Sequence, residues 1–242
     1  MTTVPTGDTR RRVFLAACCT AAPALLLAAF VAGPSMAWID ARAALADVAA
    51  RPTASVVQAG LLLVSSALFV PVLTAGVHLL RTRGRVVGLV GAAALLAGIC
   101  GHLMLVAARL VLVQLAGSGL GAGSLLQVTR HVGDGVFGVI TVLELCFDAG
   151  LVLLFIGLWR AGAVSAPILL VIVGVAVAAG VLGSNRTAFL VAGTGGLVAG
   201  AYLTVRMLRT DDATWHAGEV ATLRPRISVE PPVQPKKTST SA

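Results

Sequence analysis

Four ionisable side chains stand inside otherwise apolar stretches of this chain: His102, Arg109, Glu144 and Asp148. Such groups are expensive in an apolar helix and mark working sites by default. Glu144 and Asp148 are four residues apart, so on a helix they share one face, a turn from each other. His102 and Arg109 are seven apart, again nearly one face. Three chemistries suit the set. A carboxylate beside an imidazole or guanidinium forms a structural pair that fixes one helix arrangement. The same carboxylates with His102 form a relay for protons or cations along a solvated path. A carboxyl held protonated by apolar surroundings donates a proton as a general acid, and Glu144 or Asp148 is then the catalytic group.

The elements that must position these residues are membrane-spanning helices. Of 242 residues, 57% are hydrophobic and 12% charged, with mean hydropathy +0.95. A soluble domain carries about a quarter charged residues, which excludes an ordinary cytosolic enzyme. A span needs ~20 mostly apolar residues, and six stretches qualify: Val13 to Trp38, Ser55 to Leu80, Val86 to about Gln114, Val136 to Trp159, Pro167 to Gly183 and Thr187 to Leu208. The fifth is the shortest and most uniformly apolar. The reading is an all-α, polytopic transmembrane bundle of six spans. Residues 1–12 form a basic N-terminus, 13–208 the membrane domain, and 209–242 a disordered cytoplasmic tail whose prolines forbid a continuing helix.

Orientation follows from the basic residues. Arg10, Arg11, Arg12, Arg81, Arg83, Arg85, Arg160, Arg206 and Arg209 fall on the side of the N-terminus, against Arg42, Arg51, Arg130 and Arg186 on the other. The excess sets both termini inside, in a cytoplasmic (inner) membrane. The net charge of +8 is therefore a topology signal, and nucleic acid is not expected as a partner. Arg11-Arg12-Val13-Phe14-Leu15 is similar to a twin-arginine export signal, with Ser35-Met36-Ala37 as a cleavage box. The apolar run exceeds the 7–15 residues of a signal peptide, so an uncleaved first helix is expected. The segment Ile39 to Thr53 suits a short interfacial helix, and Ala116 to Gly135 reads as a mobile loop.

Helical rise of ~1.5 Å per residue sets the depths. From the outer face, Glu144 lies roughly 12 Å deep and Asp148 roughly 18 Å. His102 lies roughly 24 Å from the inner face and Arg109 at the outer interface. A ladder Arg109–His102–Glu144–Asp148 on spans three and four is thus allowed. Gln58, Gln114, Ser65, Ser66 and Thr141 are placed to extend it.

No cofactor or metal is implied. Cys18, Cys19, Cys100 and Cys146 lack ligand spacing, and His78 and His102 lie at different depths, against a bis-His haem. There is no P-loop, HExxH motif, nucleophile elbow or repeated Asp-rich diphosphate motif. Gly196 and Gly200 form a small-xxx-small pair that suits either intramolecular packing or a homo-oligomer. Pro23 and Pro71 each free a carbonyl and are expected kinks. The stretches Leu79-Leu80-Arg81 through Gly101, and Leu154-Phe155-Ile156-Gly157-Leu158-Trp159-Arg160 through Gly180, resemble actinobacterial six-span membrane proteins of unknown function. The resemblance implies a fold plan and no site. The leading reading is a small transport or membrane-accessory protein in contact with the lipid bilayer. The alternative is an intramembrane enzyme acting on a lipid or isoprenoid.

Overall fold

A computed structural model describes residues 7–33, 41–80, 84–118, 122–182 and 186–218. Within them the chain forms α1 (Gly7–Ala32), α2 (Ala41–Ala50), α3 (Pro52–Leu79), α4 (Arg85–Ala116), α5 (Ala122–Arg160), α6 (Ala166–Leu182), α7 (Arg186–Leu208) and α8 (Asp212–His216). Five segments are long and apolar enough to cross a membrane: α1, α3, α4, the Gly138–Arg160 part of α5, and α7. The fifth expected span, α6, has 17 residues. That is about 26 Å of helix, slightly short of a ~30 Å hydrocarbon core. Val86, Val142, Leu145, Leu170 and Val181 turn their side chains outward from the bundle. The molecule is an all-α, multi-pass membrane protein.

Neighbouring helices form a circuit. α1 packs on α3, α3 on α4, α4 on α5, α5 on α6, α6 on α7, and α7 returns to α1. Lipid offers no hydrophobic drive between spans, so close backbone approach and interhelical hydrogen bonds must hold them. The α4–α5 pair shows the first device. A Cβ added at Gly91 would strike the Leu154 backbone, and one at Gly98 the Phe147 backbone. One at Gly150 would strike Leu95, and one at Gly157 would lie 2.6 Å from the Gly88 Cα. Each step of three or four residues along α4 is answered by an equal step back along α5. The glycines therefore form one continuous seam.

The α1–α7 pair shows the second device. Thr204 donates to the Ala16 carbonyl at 2.6 Å. Its only proton is then spent, so Thr20 is the donor in the 2.8 Å contact between the two hydroxyls. Pro23 has no N–H, which frees the Cys19 carbonyl, and Gly200 sits directly against that oxygen. A Cβ added at Gly196 would lie 3.5 Å from the Pro23 Cβ. The Gly196/Gly200 face is therefore occupied by α1 of the same chain, which is the intramolecular of the two expected uses and leaves that face no room for a second copy. The helices stay continuous through Pro23 and Pro71.

Three further expectations are corrected. The segment to Gly135, read as a mobile loop, is helical from Ala122 onward. No proline interrupts residues 122–160, and each glycine costs a helix only about 1 kcal/mol, so the long span propagates outward. The first helix begins at Gly7, earlier than Val13, because nothing in Asp8-Thr9-Arg10-Arg11-Arg12 breaks it. Trp38 and the Ser35-Met36-Ala37 box lie outside the described residues. The tail is not unstructured from residue 209. Asp211 caps α8 by accepting from the Thr214 amide at 2.8 Å, and Trp215 is buried. Asp212 pairs with Arg12 at 2.9 Å and accepts from Thr9 at 3.0 Å. Residues 219–242 lie outside the described set.

These contacts bring the start of α1 and the end of α7 to one end of the bundle. Arg10, Arg11, Arg12, Arg85, Arg160, Arg206 and Arg209 belong to helix termini or turns at that end, hereafter the basic end. At the other end α2, a helix as expected, packs on α3, α4 and α5.

Candidate functional site

The glycine seam ends where the ionisable residues begin. One turn past Gly98, His102 takes the inward position on α4, and Glu144 faces it from α5, one turn before Phe147. His102 Nε2 and Glu144 Oε2 are 3.1 Å apart. An ionised carboxylate only accepts, so Nε2–H is the donor. The imidazole lies against the Phe147 ring, centroids 4.4 Å apart, and Phe147 meets Phe69 of α3 edge-on at 5.3 Å. The two rings wall the imidazole from the bundle centre. His102 is 5% exposed, whereas the Glu144 side chain is 33% exposed.

Each partner keeps one buried atom in reserve. His102 Nδ1 and Glu144 Oε1 are both buried, and neither has a hydrogen-bond partner in the structure. Buried polar atoms are satisfied in about nine cases of ten, and Gln58 Nε2 on α3 is a further exception. Asp148 stands one turn further toward the basic end and interacts electrostatically with both Glu144 and His102. Three of the four expected ladder residues therefore form one cluster.

No family model, curated protein or solved structure matches the chain. The site must be read on its own geometry.

Arg109 does not join the cluster. Its Nη1 donates to Gln58 Oε1 of α3 at 2.5 Å, and Asp47 of α2 is near enough to act on it electrostatically. The reason is register. Two turns beyond His102, about 10 Å along the helix, the residues of α5 opposite Arg109 are near Val136, not Glu144. The continuous ladder is thus corrected to two separate stations, His102–Glu144–Asp148 and Arg109–Gln58. Gln58 itself is completely buried and fits only because residue 33 is glycine; a Cβ there would overlap its amide.

The other polar candidates serve packing. Ser65 donates to the Ala22 carbonyl of α1 at 2.8 Å, and Ser66 to the Leu62 carbonyl of its own helix at 2.8 Å. Gln114 is exposed, and Thr141 has contacts of its own. His78 donates from Nε2 to the Trp215 carbonyl at 2.9 Å and lies against the Trp215 ring, holding α8 to α3. Among the described residues no group of three His, Cys, Asp or Glu side chains can hold a metal ion.

Two participants escaped the sequence reading. Phe147 was legible as the residue three after Glu144, on the same helical face, but its ring gave no chemical signal. Arg206, read only as a topology marker, is 5% exposed. Its Nη1 donates to the Ala163 carbonyl at 2.6 Å and the Gly162 carbonyl at 3.1 Å. Gly162, at φ +77°, lets the chain turn after α5 and present both carbonyls.

Proposed function

We propose that the chain is a small transport-type membrane protein whose His102–Glu144–Asp148 cluster relays protons. One observation carries the reading: each member of the 3.1 Å His102–Glu144 pair keeps a buried atom without a partner. A purely structural pair gains by satisfying all its atoms. A relay needs one atom to receive and another to release.

The steps follow from the atoms. A proton arriving at Nδ1 makes His102 an imidazolium. Nε2–H passes its proton to Glu144 Oε2, leaving a neutral imidazole and a carboxylic acid. Asp148, one turn along α5, is the next acceptor toward the basic end. The excess of arginine at that end, under the positive-inside rule, supports a cytoplasmic basic end in an inner membrane with both termini inside.

The test is proton uptake into dye-loaded proteoliposomes under an imposed potential. Wild type acidifies the lumen; Glu144→Gln, which keeps shape and one acceptor, falls to the protein-free rate. Equal uptake by both proteins overturns the relay.

A second reading has its own observation. Glu144 is one-third exposed beside Leu145, which is 63% exposed, so an apolar molecule in the bilayer meets a carboxyl directly. An intramembrane enzyme with Glu144 or Asp148 as general acid would use that exposure. Native mass spectrometry from nanodiscs separates the readings: an isoprenoid or lipid retained by wild type and lost in Glu144→Gln favours the enzyme.

A further inference from the structure

At the basic end, on the outside of the bundle, the last turn of α3 and the first turn of α4 enclose a groove of about 400 Å³ lined by Val77, Leu80, Arg85 and Leu89. We propose that this groove binds one anionic phospholipid, with its phosphate on Arg85 and an acyl chain along Val77 and Leu89. The proposal is independent of the His102–Glu144 cluster.

Three features of the groove point to this occupant. Its walls are apolar and open to the membrane, since Val77 and Leu89 are both exposed while Leu80 is buried as the floor. The floor is low because residue 88 is glycine: a Cβ there would run into the Leu80 side chain. A free phosphate ion has no use for such walls, but a hydrocarbon chain does.

The polar end carries charge of one sign. Arg85 is exposed, and among the described residues its guanidinium makes no hydrogen bond or ion pair. Arg160 of α5 is exposed and likewise unpaired, and its Cβ lies where a side chain on Gly84 would be, 2.9 Å from an added Cβ. Gly84 adopts φ +87°, which only glycine takes readily. That turn brings Arg160 beside Gly84, next to Arg85 on the groove wall. By contrast, Arg12 and Arg206 at the same end are engaged by Asp212 and by main-chain carbonyls. Basic pockets between helices at headgroup level on the cytoplasmic side select acidic lipids.

The experiment is native mass spectrometry of the full chain released from nanodiscs of equal phosphatidylglycerol and phosphatidylcholine. Wild type should retain one phosphatidylglycerol in preference to phosphatidylcholine. Arg85→Gln removes the cation, and Leu89→Trp fills the groove; each should lower that retention at least fivefold. Val86→Trp, at a position 76% exposed and outside the lining, should leave it unchanged. All three positions are exposed, and equal melting temperatures verify folding. Equal retention of both lipids by wild type, or undiminished phosphatidylglycerol on both Arg85→Gln and Leu89→Trp, overturns the proposal.

Discussion

Arg206 and His102 are buried to the same degree, each 5% exposed, yet they are treated in opposite ways. Arg206 at the basic end is saturated: one nitrogen reaches two main-chain carbonyls at the α5–α6 turn and touches the Tyr202 hydroxyl at 3.4 Å. His102, mid-helix on α4, has one partner and a second nitrogen with none. The first arrangement closes a joint. The second leaves a buried nitrogen open, which is the atom that the proposed relay uses.

Four changes sharpen or break that contrast. The largest effect is expected for Glu144→Gln: proton uptake falls to background, while chemical unfolding in detergent shifts by less than about 1 kcal/mol, one hydrogen bond's net worth. A loss of stability without loss of uptake would return the pair to a structural role. Arg206→Met should do the reverse. It orphans the buried Ala163 carbonyl, so unfolding should weaken by about 1–3 kcal/mol, with uptake per folded molecule unchanged.

Gly98→Ala comes next. Its Cβ meets the Phe147 backbone, and overpacking of this kind costs about 1–3 kcal/mol. Because Phe147 and Glu144 sit on the same turn of α5, uptake should also drop, severalfold. Unchanged uptake would detach the seam from the site.

The smallest effect is expected at α8. Hydrogen bonds from Thr214 lower the Asp211 carboxyl below its ordinary 3.8. A carboxylate depressed on folding stabilises above its unfolded value and loses that contribution as pH falls through the folded one. Trp215 fluorescence should therefore report release of α8 only in acid below about 4, with Asp211→Ala abolishing that step. Release near neutral pH would assign the latch to another group.

How much of this was legible in the sequence differs between the two regions. The His102–Glu144 pairing follows from hydrophobic length, helical rise and the adjacency of consecutive spans, all of which the apolar stretches encode. The partner of Arg109 does not follow. It depends on where α3 crosses α4, and that crossing is set by small residues such as Gly33 whose counterparts lie on other helices. Gly196 and Gly200 show the same limit: their spacing announces a close contact, but not that α1 supplies it. The extension of α5 above Gly138 and the short α8 were hidden for a different reason. Both are polar enough to read as loop; the α5 extension propagates from an uninterrupted span, and α8 is held by tertiary support, Asp212 on Arg12 and Trp215 against His78.

The contact between the first and last spans has a consequence for biogenesis. Pro23 leaves the Cys19 carbonyl without its helical donor, and Gly200, which shields it, emerges 177 residues later. At about 5–20 residues per second, the ribosome needs on the order of ten to thirty seconds to deliver it. Through that interval α1 lacks the cover that Gly200 gives the Cys19 carbonyl. Insertion must therefore either shelter α1 at the translocon until α7 arrives, or tolerate its exposure to lipid.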